Sequence, residues 1–74
     1  MNTDDMSVET EMAEAELRRL GLGGVRVCAH GELARLEVRG PDLAAVVCDP
    51  LRAEVVRAVR GAGFDRVAVD LDVL

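Results

Sequence analysis

The 74-residue chain contains no lysine, tryptophan or tyrosine, and Phe64 is its only aromatic residue. A core without aromatics must be assembled from small aliphatic pieces, because each missing ring would have buried a large area. Basic charge rests on nine arginines alone, against fourteen acidic residues. With no basic face to displace counterions, nucleic-acid binding is not expected. No apolar run approaches the ~20 residues of a membrane-spanning helix, and the acidic N-terminus lacks the basic and apolar regions of a signal peptide. A cytoplasmic address without membrane attachment is therefore expected. Cys28 and Cys48 are too few and too far apart for a disulfide framework, and both read as small buried hydrophobes.

What is present is aliphatic and unevenly charged. Half of the residues are hydrophobic, mainly Val, Ala and Leu, and the net charge is −5. The acidic excess sits at the start: no arginine precedes Arg18, and the remainder of the chain is almost neutral. This length allows one small domain, near the lower limit at which a single core offsets chain entropy, so oligomerisation is expected.

Residues 1–6 read as a disordered acidic lead and 7–74 as a single α+β domain. A helix is expected over Val8–Leu20, with Ser7 as N-cap, glutamates in its first turn, and Arg18 and Arg19 in its last. Ala13, Leu17 and Leu20 form its core face, while Val8, Met12 and Ala15 form a second apolar stripe without an evident intrachain partner. Gly21 stops the helix. Two alternating runs, Val25–Cys28 and Leu33–Val38, meet at His30-Gly31-Glu32 and predict a β-hairpin. Gly40-Pro41-Asp42 breaks the second run and can start a short helical segment over Leu43–Val47. Asp49-Pro50 is a start signal for a second full helix, with Asp49 as N-cap and a stripe of Leu51, Val55, Ala58, Val59 and Ala62. Gly63 stops it, and Val67–Leu71 supplies a third strand.

The helix-Gly-strand pattern occurs twice: Leu17, Gly21, Val25 and Val27 match Val59, Gly63, Val67 and Val69. The prediction is an α-β-β-α-β domain with two helices on one face of a three-stranded mixed sheet, equivalent to a ferredoxin-like half lacking its first strand. That missing strand would leave a vacant place between the last two strands, open to a strand from another chain.

The chemistry-bearing residues are few. Arg26 alternates out of a strand whose Val25 and Val27 face the core, which makes it a solvated arginine or an anion contact. Cys28 and His30 share a face if the strand reaches His30, yet two ligands do not make a metal site. Arg35 and Glu37 share the wet face of the second strand, where ion pairing is the ordinary account. Glu14 is spaced for an i,i+4 pair with Arg18. One histidine and one serine, with no base placed by pattern, compose no nucleophile constellation, and neither a catalytic residue nor a cofactor is expected. Gly21-Leu22-Gly23-Gly24 follows a helix and enters a strand, the reverse of a phosphate loop.

The run Val25-Arg26-Val27-Cys28-Ala29-His30-Gly31-Glu32-Leu33-Ala34-Arg35-Leu36-Glu37-Val38 resembles the R-V-R-x-H-G-[DE]-L-A-R-[IL]-E-V segment of the ATP-dependent sacrificial sulfur transferases of the LarE type, which build the nickel-pincer cofactor. Residues 60–71, with Gly63-Phe64 and Val69-Asp70-Leu71, are similar to that family's L-G-F-x-x-V-x-L-D-L ending. The resemblance covers residues 11–72 and reaches the family's small C-terminal domain. It implies that Arg26 matches the first arginine of the R-V-R pair, a phosphate contact, and that Cys28 replaces the second. His30 retains one histidine of a pair, and Glu14 falls where the family has an active-site glutamate. Full-length relatives carry an ATP-pyrophosphatase domain with an S-G-G-x-D-S loop, which these residues lack. The resemblance thus implies an accessory role in sulfur transfer beside a separate ATP-pyrophosphatase-type protein. The residues themselves equally allow a self-associating structural module.

Overall fold

The computed structural model describes residues 3–72, with side chains from residue 8 onward. It holds α1 (Thr3–Arg19), β1 (Arg26–His30), β2 (Leu33–Glu37), α2 (Gly40–Val46), α3 (Leu51–Gly61) and β3 (Arg66–Val69). The class is α+β with a three-stranded mixed sheet, as the patterning predicts. Among these residues no helix is long and apolar enough to cross a membrane.

α1 begins before Ser7, so this serine lies inside the helix instead of capping it. The helix takes in the acidic lead from Thr3, where negative charge suits a helix N-terminus; residues 1 and 2 lie outside the described range. The stop is a Schellman turn. Leu22 N–H donates to the Leu17 carbonyl at 2.9 Å and Gly21 N–H to that of Arg18 at 3.0 Å, with Gly21 at φ 88°. This turn returns Leu22 to the core beside Leu17.

β1 and β2 pair antiparallel, with Val27 opposite Leu36 and His30 opposite Leu33. Gly31 and Glu32 connect them, and Gly31 has φ 61°, the left-handed first position that a type II′ hairpin requires. β2 and β3 pair parallel, with Ala34 opposite Val67 and Leu36 opposite Val69. This pairing corrects the expected vacancy between the last two strands. Without an intervening strand, β2 and β3 close on each other and satisfy their backbone groups directly.

Strand alternation sends Val27, Ala34 and Leu36 into a core shared with Ala13, Leu17, Val55, Val59 and Phe64. α1 packs on β1 and on α3, and α3 packs on β3. α2 is a third helix, starting three residues earlier than the expected segment because Pro41 fits its first turn. It leans on α3 and buries only Val46. The expected Asp49 cap is also corrected. Pro50 occupies that position without a side-chain cap, and the Asp49 carboxylate takes the Arg52 guanidinium instead, Oδ1 to Nε at 3.0 Å. A charged fork of donors outcompetes the helix N–H groups for this exposed carboxylate.

Candidate functional site

The face of the sheet opposite the helices carries every polar side chain that the strands project. Even-numbered β1 residues Arg26, Cys28 and His30 share it with Leu33, Arg35 and Glu37 of β2, and with Arg66 and Ala68 of β3. None of these residues is buried. Register places Cys28 opposite Arg35, and Arg26 opposite Glu37.

Arg35 lies at the centre. Its Nη1 donates to Glu37 Oε2 at 3.1 Å and to Asp70 Oδ2 at 2.6 Å, and its Nε donates to His30 Nε2 at 3.2 Å. In the last contact the imidazole nitrogen is the acceptor. All three ion-paired side chains are only about a third exposed or less. Partial desolvation works against the Arg35 charge, but its hydrogen bonds to Glu37 and Asp70 and the nearby negative charge prevail, and its pKa is raised. One cation bridging two carboxylates also fixes β2 to the end of β3, across 35 positions of sequence.

Cys28 Sγ donates to Glu37 Oε2 at 3.5 Å. Burial first, then the Glu37 hydrogen bond and charge, push its pKa upward, and the opposing pull of Arg35 and Arg26 does not compensate. The group is a thiol at neutral pH, the opposite of an activated nucleophile. The two cysteines are less buried than the sequence suggests: Cys28 is half-buried on the open face and Cys48 is exposed. The reason is parity for Cys28, which alternates with Val27, and the loop between α2 and α3 for Cys48.

Of the residues singled out by sequence, Arg26 and His30 fall on this face and Glu14 does not join them. Glu14 stands at the outer edge of β1, where its Oε2 accepts the Val27 N–H at 2.9 Å. It thereby occupies an edge donor that would otherwise face outward unpaired. No bond to Arg18 forms; among the described side chains, the ion pair within α1 is Glu16 with Arg19 at 3.6 Å. Asp70 escaped the sequence reading as a site residue, although its parity with Ala68 after Val67-Ala68-Val69 carried the signal.

No protein-family model matches the chain, and no curated protein matches it either.

Chemically, the middle of the open face is a set of charges, Arg35, Glu37 and Asp70, that satisfy one another beside a protonated thiol, with Arg26 and Arg66 exposed around them. Among the described residues, no three of His, Cys, Asp and Glu are placed to hold a metal ion. On the helical side, a cleft of 430 Å³ between α1 and α3 includes Met12, Leu20, Arg57 and Ala58. Met12, from the spare stripe of α1, is half exposed there, and Val8 of the same stripe is half exposed as well.

Proposed function

We propose that this chain is a non-catalytic accessory domain that presents the open face of its sheet to a partner protein. The observation that carries this reading is the Arg35-centred network: the side chains able to do chemistry are engaged with each other, and the thiol among them is held protonated. Such a face is rigid and polar, suited to recognition more than to bond making. Arg26 differs from Arg35 in being exposed and, among the described residues, without a side-chain hydrogen bond, so it is free to meet an anion on a partner.

The resemblance of the hairpin to the C-terminal domain of sacrificial sulfur transferases supplies the partner class, an ATP-pyrophosphatase-type protein in the cytoplasm, with sulfur transfer or cofactor synthesis as the shared task. Affinity capture from the native source, followed by native mass spectrometry, tests this. Recovery of an ATP-pyrophosphatase in fixed stoichiometry, weakened by Arg26→Ala while stability stays within about 0.5 kcal/mol, supports it. Recovery of no such protein under conditions that preserve the fold sinks it. A second reading, a self-associating structural module, is favoured by the exposed apolar side chains of Val47 and Leu71 near an uncovered strand edge.

A further inference from the structure

β3 is an edge strand, and its outward row of backbone groups can be placed. Arg66 N–H donates to the Glu32 carbonyl and Asp70 N–H to that of Leu36, so the even-numbered residues of β3 point their backbone toward β2. By alternation, the N–H and C=O groups of Val67 and Val69 point away from it. Beside this edge lies a mainly apolar groove of 230 Å³, walled by Val47, Val55, Val56, Val67 and Val69 together with Arg52. Val47 is about half exposed, and Val67 and Val69, though they face the core, are not fully covered. Uncapped edges of this kind invite strand pairing. The opposite edge is treated differently, since Glu14 takes the outward Val27 N–H of β1.

We propose that the β3 edge pairs with β3 of a second copy, antiparallel about a two-fold axis through Ala68, to give one continuous six-stranded sheet. Within the strand and its first flanking residue, the sequence of β3 is self-complementary in this register. Ala68 meets Ala68 of the second copy, and Val67 meets Val69, the two residues whose backbone groups face outward and can exchange both N–H···O bonds. Arg66, exposed and unpaired among the described side-chain bonds, meets Asp70 of the second copy. The Asp70 carboxylate already accepts from Arg35 and from the Asp72 N–H, and has lone pairs left for another guanidinium. A shift of two residues one way would set Arg66 against Ala68 and lose both ion pairs; the other way would set Arg66 against Asp72, which lies in the turn beyond β3 where the strand no longer runs. A shift of one would face outward groups with inward ones. The symmetric contact also joins the two apolar grooves, whose walls then cover each other's exposed valines. The inference does not depend on the partner protein proposed above, because the open face of each sheet stays uncovered.

The test is the molar mass of the purified chain across micromolar to millimolar concentration, by light scattering and native mass spectrometry. A dimer of the 7.9 kDa chain is expected. Ala68→Lys places two ammonium groups at the closest cross-strand pair, and Arg66→Glu turns both ion pairs repulsive; each should raise the dimer dissociation constant about tenfold or more. Both positions are exposed in one copy, so circular dichroism should show the fold retained. As a positive measure, Ala68→Cys with Cys28→Ala and Cys48→Ala should form a disulfide between the two copies of residue 68 on mild oxidation, since non-hydrogen-bonded pairs bring Cα atoms within bridging distance. A chain that stays monomeric over the whole range overturns the proposal and leaves the partner-binding reading intact. A dimer indifferent to Ala68→Lys and Arg66→Glu, with no 68–68 cross-link, overturns it equally.

Discussion

Replacing Glu14 by alanine should destabilise the domain by about 1–2.5 kcal/mol through one backbone donor. Glu14 Oε2 accepts the Val27 N–H at 2.9 Å, and Val27 is only 5% exposed. Removing a charged acceptor from a donor that water reaches poorly costs about 1.5–3 kcal/mol, and the better helix propensity of alanine returns a few tenths. A domain of this size has a total of about 3–5 kcal/mol to lose, so the effect is large. Each 1 kcal/mol corresponds to about 4–8 °C in Tm for such a chain. Urea denaturation gives the free energy, and amide hydrogen exchange gives the location: the Val27 amide should lose protection in Glu14→Ala while Leu36 and Val59 keep theirs relative to global stability. Glu14→Gln retains a carbonyl acceptor at the same reach and should recover half or more of the loss. If Glu14→Ala lies within about 0.5 kcal/mol of the parent with Val27 protection unchanged, the edge hydrogen bond does not contribute and the reasoning fails.

Four further outcomes follow from the same structure. Cys48 should alkylate well ahead of Cys28 at pH 8, and Glu37→Gln should speed Cys28 by lowering its pKa; equal rates in the parent would contradict the raised thiol pKa. Because that pKa is higher folded than unfolded, its stabilisation is complete below the ordinary thiol value of about 8.5 and is lost as pH rises through the folded value, so Cys28→Ala should flatten this part of the alkaline decline. Phe64, 2% exposed, is the largest single core contribution. Its change to alanine should cost about 3–5 kcal/mol, enough to leave the chain largely unfolded by circular dichroism at 25 °C, and a cooperative melt near that of the parent would refute it. Gly63→Ala meets both φ 121° and a Glu9 Oε2 within 2.8 Å of the new Cβ, and should destabilise by about 1 kcal/mol or more. Gly61→Ala, with open space around it at the last position of α3, should stabilise by about 0.5 kcal/mol; thermal melts of the pair compare them, and the reverse order would be decisive against this account.

Much of the architecture was legible in the chain because its signals are local. The Gly21 and Gly63 stops, the His30-Gly31-Glu32 turn and the alternation around Val27 and Leu36 each depend on residues within a few positions. The start of α1 and the role of Asp49 were misjudged for the opposite reason. Ser7 and Asp49 satisfy the local pattern of a cap, but continuing the helix in one case and pairing with Arg52 in the other was more favourable. The site was legible by face and not by contact. Arg26, His30, Arg35 and Glu37 share the open side by parity, whereas the engagement of Glu14 with Val27 and of Asp70 with Arg35 required knowing which elements meet.

By itself, the amino-acid order determined what each segment would be: periods of 3.6 and 2, turn glycines, and a β3 that begins at Arg66 and is followed by Asp70 are written along the chain. Only the tertiary structure decided which strands are neighbours. Direct pairing of β2 with β3 removed the expected vacancy and moved the free edge to the far side of β3. Strand order depends on contacts between residues remote in sequence, where hydrogen-bond satisfaction across the whole sheet outweighs any local preference.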